Sequence, residues 1–100
     1  MAAKSIVELD TYVVETLMRD LVGHDRRPSA FLVYLAVAGM GAGTDGAYGL
    51  SYGDLAEMTG LSRRSVQDAI AHLARRKLVA VQRDGPTETA VYRALKPWRR

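Results

Sequence analysis

Cysteine is absent from the 100 residues, which excludes a disulfide framework, a thiol nucleophile and any cysteine-built zinc site. Histidine is nearly as scarce. His24 and His72 have no nucleophile or acid partner in their local sequence, and two isolated histidines do not make a metal site. The longest unbroken apolar run, Ala30 to Ala38, is too short to cross a bilayer and suits a buried helix. Met1-Ala2-Ala3-Lys4 leads into a charged, periodic stretch with no apolar leader or cleavage site, so the expectation is a cytoplasmic protein. Nothing in the chain calls for a cofactor, and the protein is expected not to be an enzyme.

What is present is ordinary for a globular domain: 48% hydrophobic residues and 25% charged, at a length that allows one domain over residues 1–100. The net charge of +3 conceals an asymmetry. Residues 1–62 carry four basic and eight acidic side chains, a balance of −4, whereas residues 63–100 carry ten basic and three acidic, a balance of +7. A basic half joined to an acidic half suggests one surface for a polyanion and another for folding or self-association; a merely solvated charged face is the alternative.

In residues 5–41 the pattern predicts two helices. The first opens at Ser5, where Ser5 and Glu8 match a capping box, and runs to about Val22. Ile6, Leu9, Val13, Leu17 and Leu21 recur at helical steps, while Tyr12, Val14, Met18 and Val22 widen the apolar face beyond what one contact needs. That wide face predicts a homodimer surface; the competing reading is that both faces pack within one subunit. Gly23 supplies a C-terminal stop. Pro28 fits the first turn of the second helix, which is apolar all round and belongs in the middle of the core.

Gly39 to Gly49 holds five of the nine glycines and reads as a loop. Within it Gly41-Ala42-Gly43-Thr44-Asp45-Gly46 matches G-x-G-x-x-G, but it follows a helix instead of a strand, so it is rejected as a dinucleotide site.

From Ser51 the text changes character. Ser51 and Asp54 form a second capping signature, and Leu55, Ala56 and Met58 give a short helix that stops at Gly60. Ser62 is an N-cap for a helix from Arg63 to about Lys77, with Val66, Ala69, Ile70, Leu73 and Lys77 on the inner side. Arg64, Asp68, Ala71 and Arg75 lie opposite, with Arg63 and Gln67 on one edge. Two short helices joined by a glycine-containing turn make a helix-turn-helix over 51–77. The runs Leu78 to Arg83 and Thr89 to Leu95, separated by Asp84-Gly85-Pro86-Thr87-Glu88, read as a hairpin over 78–95.

The stretch from Ser51 through Ile70, continued by Leu73 and Lys77-Leu78-Val79, closely resembles the helix-turn-helix of bacterial winged-helix transcription regulators, and the likeness covers roughly residues 48–96. It implies a mainly α fold with a small β-hairpin wing, in which Tyr48-Gly49-Leu50 supplies a weak third strand. It also implies a sequence-specific regulator of double-stranded DNA that places the second helix of the motif in the major groove and the wing on backbone or minor groove. Carried onto matching positions, Arg63, Arg64, Gln67 and Asp68 face base edges. Asp68 either accepts from cytosine or orients Arg64 one turn earlier, and the plain alternative is a solvated Arg64–Asp68 ion pair. Ser51, Ser62 and Ser65 sit at helix N-termini where hydroxyls meet phosphates, or serve only as caps. Arg83 is the wing contact, and Trp98 packs on the domain or a partner. Two other functions remain open: a protein-docking winged helix, and the DNA-binding part of a plasmid or phage replication factor.

Overall fold

The computed structural model describes residues 6–41, 47–83 and 89–99. Residues 6–10 have no regular structure, and the first helix spans 11–24. It therefore does not open with the Ser5–Glu8 box: Ser5 lies outside the described residues, and Glu8 precedes the helix. The physical reason is tertiary. Val7 packs toward Gly39 of the next helix, where a Cβ would meet Val7 Cγ2 at 3.7 Å. The Asp10 carboxylate is claimed by the C-terminal tail, and the helix starts where the Val13 N–H donates to the Asp10 carbonyl at 2.9 Å.

This helix is wound more widely than an α-helix over Val13–Leu17 and Arg19–His24, with hydrogen bonds spanning five residues, Met18 N–H to Val13 O and Asp25 N–H to Asp20 O. Val13, Leu17 and Leu21 form its buried row, and Val14, Met18 and Val22 its exposed one. Gly23 lies inside the helix and does not end it. Arg26, at φ 57°, makes the left-handed turn, and the Arg27 N–H closes it on the Leu21 carbonyl at 2.7 Å.

Helix α1, Pro28–Gly41, occupies the centre as expected and packs against every other helix and strands β1 and β3 defined below. Ala30, Phe31, Val33, Tyr34 and Val37 are buried, while Leu32 emerges on the solvent side. The helix continues through Gly39 to Gly41, so the glycine-rich loop is shorter than its composition implies. Most of the G-x-G-x-x-G match lies outside the described residues, and it sits between a helix and a strand.

Strand β1, Ala47–Ser51, leads into α2, Tyr52–Thr59. The turn to α3, Arg63–Arg75, is made at Gly60, whose φ of 78° is a conformation that glycine alone takes without strain. The Gly60 N–H returns to the Ala56 carbonyl at 2.9 Å. Val66, Ala69, Ile70 and Leu73 of α3 are buried, but the helix stops two residues short of Lys77. Lys77, expected on the inner side, is exposed at φ 59°, because the chain must reverse there to carry Leu78 into the core. The Leu78 N–H seals the helix end on the Leu73 carbonyl at 2.9 Å.

Strands β2, Val79–Gln82, and β3, Thr89–Ala94, complete an antiparallel sheet in the order β1-β3-β2. The register pairs Gly49 with Val91, Leu50 with Ala90 and Val81 with Tyr92. The weak strand is thus real, held by β3 despite its central glycine. The turn 84–88 lies outside the described residues. The fold is a winged helix-turn-helix, mainly helical with a small three-stranded sheet.

The tail returns to the N-terminal layer. Trp98 stacks on Tyr12 at 4.5 Å between centroids, and its indole N–H donates to Asp10 at 2.7 Å, so Trp98 packs on its own domain. The Tyr34 hydroxyl donates to the Leu95 carbonyl at 2.9 Å; burial, with the Asp10 charge behind it, pushes the phenol up to about 12. Among the described residues no helix is long and apolar enough to cross a membrane.

Candidate nucleic-acid interface

Each helix of the helix-turn-helix begins at a serine, and each serine acts as the cap its sequence suggests. At α2 the box is complete: Ser51 Oγ accepts from the Asp54 N–H, and Asp54 Oδ2 accepts from the Ser51 N–H, both at 3.0 Å. What remains of Ser51 for another partner is its hydroxyl proton, beside a carboxylate. At α3, Ser62 Oγ accepts from the Ser65 N–H at 3.0 Å and donates to Ser65 Oγ at 3.1 Å. The Ser65 hydroxyl keeps its own proton. No acidic residue occupies the first turn of α3, which instead carries Arg63 and Arg64.

That placement runs against local electrostatics. A helix N-terminus behaves as a partial positive charge, and a cation there is disfavoured by about 0.3–1 kcal/mol. Two successive arginines at this end leave it ready for an anion. Further along, Gln67 and Asp68 are exposed, so the outward face of α3 is polar over its first two turns, beyond which Ala71 and Ala74 are exposed before Arg75.

The arginines differ in what holds them. Arg64 Nε lies 3.6 Å from Asp68 Oδ1, both well exposed: the intrahelical ion pair exists in the free protein. Arg63 turns back toward α2. A Cβ at residue 53 would sit 2.8 Å from its Nη2, so a side chain there would displace the flexible end of Arg63. Arg63 lines a recess with Asp54 and Glu57, yet forms no ion pair with either among the described residues. At the base of the wing, Arg83 Nη2 donates to the Tyr52 hydroxyl at 3.0 Å, with the guanidinium carbon 5.5 Å from the centre of the Tyr52 ring. Tyr92, close to both groups, is fully buried, and burial raises its phenol.

The far end of α3 is anchored. His72 Nε2 lies 2.8 Å from Asp25 Oδ2, His24 Nδ1 lies 3.0 Å from Asp25 Oδ1, and Arg76 adds contacts to Asp25 at 3.6 Å and Asp20 at 3.9 Å. His24 holds the Asp25 carboxyl below its usual range, with His72 and Arg76 adding to it against the opposing effect of burial. His72 is thus half-buried at the edge of α3. Its acid partner is 47 positions away, beyond the reach of any local motif, but His24 meets the same carboxylate at the next residue, so the expectation that His24 lacks an acid partner in its local sequence fails. Among the described residues no group of three or more potential ligands is placed to hold a metal ion.

The structure thus brings Ser62, Arg63, Arg64, Ser65, Gln67 and Asp68 to one end and face of α3. Ser51 sits beside Arg63 across the recess, and Arg83 is tied to α2 through Tyr52. Sequence reasoning missed Tyr52, Gly53 and Asp25. Gly53 carries a signal that was there to be read: a glycine inside the first turn of a helix is costly unless something approaches closely.

A family model described as a helix-turn-helix domain matches residues 27–79, just over half of the chain, from the start of α1 to the first residue of β2. No curated protein and no solved structure matches the chain significantly.

Proposed function

The chain belongs to the helix-turn-helix domain family, a membership that points to DNA binding, and we propose that it is a non-enzymatic, cytoplasmic transcription regulator that binds double-stranded DNA sequence-specifically. The observation that carries this reading is the N-terminal end of α3: two arginines in the first turn, no acid there, and serine hydroxyls at the cap. An end so charged is disfavoured in the free protein and is stabilised by a phosphate backbone. Arg64 and Gln67 offer the groove donors suited to guanine and adenine edges, each good pair contributing about 1–3 kcal/mol of discrimination. Ser51, Ser62, Ser65 and Arg83 serve the backbone, and Asp68 tunes or joins the base contacts.

A palindromic site would be met by a homodimer formed through the first helix, whose Val14, Met18 and Val22 remain 56%, 38% and 38% exposed. Tyr12 is no longer part of that surface, since Trp98 covers it.

The test is duplex binding at two salt concentrations with wild type and the Arg63→Ala/Arg64→Ala double variant. Affinity should fall by about one log unit per log unit of salt for each phosphate neutralised, and the double variant should bind far more weakly with a shallower dependence. No binding at low salt, or an unchanged affinity in the double variant, overturns the reading.

A further inference from the structure

We infer that the first helix pairs with the same helix of a second copy of this chain in antiparallel fashion, about a two-fold axis at Met18, with Glu15 of each copy against Arg19 of the other. This rests on the homodimer reading above and gives that surface its geometry.

From Tyr12 to Gly23 the helix repeats one burial pattern every four residues: half-buried, buried, exposed, exposed. An α-helix turns by about 100° per residue, so positions four apart drift by ~40° at each step and an apolar row at that spacing winds off its face. The wider winding over Val13–Leu17 and Arg19–His24 turns less per residue, which brings each fourth residue back over the one before. The result is a set of straight rows. Val13, Leu17 and Leu21 face the core, and Glu15, Arg19 and Gly23 lie on the far side in water. Val14, Met18 and Val22 run between them, so the winding that keeps the buried row on the core also keeps an exposed apolar row parallel to the axis. That row shares a shallow recess with Glu15 and Arg19. At its end a Cβ on Gly23 would meet nothing within 4 Å, which leaves room for a second helix to approach.

Charge decides what fits there. Glu15 and Arg19 have the spacing of an intrahelical ion pair, yet among the described residues neither forms one with the other or with any other side chain. A two-fold axis perpendicular to the helix sets like flanks side by side with their directions reversed. Met18 then faces Met18 of the second copy, Val14 faces its Val22, and Glu15 lies against its Arg19, twice by symmetry. A parallel pair would instead set Glu15 beside Glu15 and Arg19 beside Arg19, a juxtaposition of like charges that opposes association. Three apolar side chains from each copy and two ion pairs make a small interface. Association is therefore weak in solution and is strengthened when one duplex holds both copies.

The absence of cysteine allows a direct test, because an introduced thiol has no competitor in the chain. Val14→Cys and Val22→Cys proteins, mixed and oxidised, should cross-link to each other several-fold more than either does to itself, with Met58→Cys, on the exposed side of α2, as the collision baseline. Sedimentation supplies an independent readout. Glu15→Arg alone and Arg19→Glu alone should each self-associate about tenfold more weakly than wild type, and an equimolar mixture of the two should recover it, because each then offers the charge that the other lacks. Preferential cross-linking of Val14→Cys to itself, or wild-type association by Glu15→Arg alone, overturns the antiparallel geometry while the homodimer stands. Cross-linking no higher than the Met58→Cys baseline in every combination removes the homodimer as well.

Discussion

At its C-terminal end α3 reaches into the N-terminal layer, where Asp25, 8% exposed, takes His72 from α3, Arg76 from the residue that caps it and His24 from its own turn. At its N-terminal end the same helix meets no acid in its first turn and holds Arg63 and Arg64 at the surface. One residue type serves both ends and does opposite work. Where the arginine meets carboxylates from the acidic half it fastens the helix; at the first turn Arg63 meets none and Arg64 only the exposed Asp68 of its own helix, which leaves a field that an incoming polyanion can use. The −4 and +7 halves of the sequence are therefore not two separate surfaces. Arg76 and Arg99 are answered internally by Asp20, Asp25 and Asp10, while Arg63 in the first turn of α3 and Arg83 at the wing base stay exposed without a carboxylate among the described residues, as Arg75 does at the far end of α3.

The largest effect on stability is expected from breaking the anchored end. Asp25→Ala removes a carboxylate that three cationic or cation-capable groups share, leaving the largely enclosed His72 without a partner. A loss of about 1 kcal/mol is expected from urea unfolding, since the half-buried His72 loses its hydrogen-bond partner while His24 and Arg76 can turn to solvent. Acid sharpens the point. The Asp25 carboxyl is held below its ordinary value of 3.8, so its contribution is fully present above that pH and is lost as the pH falls through the lower folded value. Wild type should lose stability below about pH 4 more steeply than Asp25→Ala, and duplex binding by the folded fraction of the variant should match wild type. Equal acid sensitivity in the two proteins would show that the anchor is not at Asp25.

The next effect lies where the anchored end gives way to the wing. Lys77 sits at φ 59°, a conformation that costs an L-residue about 1 kcal/mol and glycine almost nothing. Lys77→Gly should therefore stabilise the fold by about 0.5–1 kcal/mol, read from the urea midpoint, even though it removes a side chain and adds freedom to the unfolded chain. A destabilised variant would mean that the lysine stem holds the turn through packing.

What the sequence revealed and what it hid follow from the range of the forces involved. Serine caps, the glycine at 60 and the alternation of the wing strands act within a few residues, so Ser51, Ser62, Gly60 and the hairpin could be read directly. The helix starts and stops that failed are those decided from a distance. Residues 6–10 match the start of a helix locally but are drawn off by α1 and the tail. Gly23 looks like a stop, yet the chain turns at Arg26, and Lys77 fits the inner side of α3 but lies beyond its end. At the candidate site the residue types on α3 were legible because they lie on one helix. The partners that divide them into anchoring and presenting groups, Asp25 and Gly53, come from other elements and leave no periodic trace.

The smallest effect concerns the one ion pair on the presenting face. Arg64 and Asp68 are 3.6 Å apart with side chains 83% and 58% exposed, so screening and side-chain entropy leave the pair worth about 0.3 kcal/mol. Asp68→Asn should hardly move the urea midpoint. Its consequence is expected in base preference, where it decides between two roles. If Asp68 orients Arg64, then Asp68→Asn and Arg64→Ala relax the same base position, and their effects in the double variant fall short of additive. If Asp68 accepts from cytosine itself, the two variants relax different positions and their effects add. In either case removing a negative charge from the presenting end should strengthen binding to duplexes that lack the preferred site. A folded Asp68→Asn protein with unchanged preference and unchanged non-specific affinity would place Asp68 outside the interface and confine the presenting end to the first turn of α3.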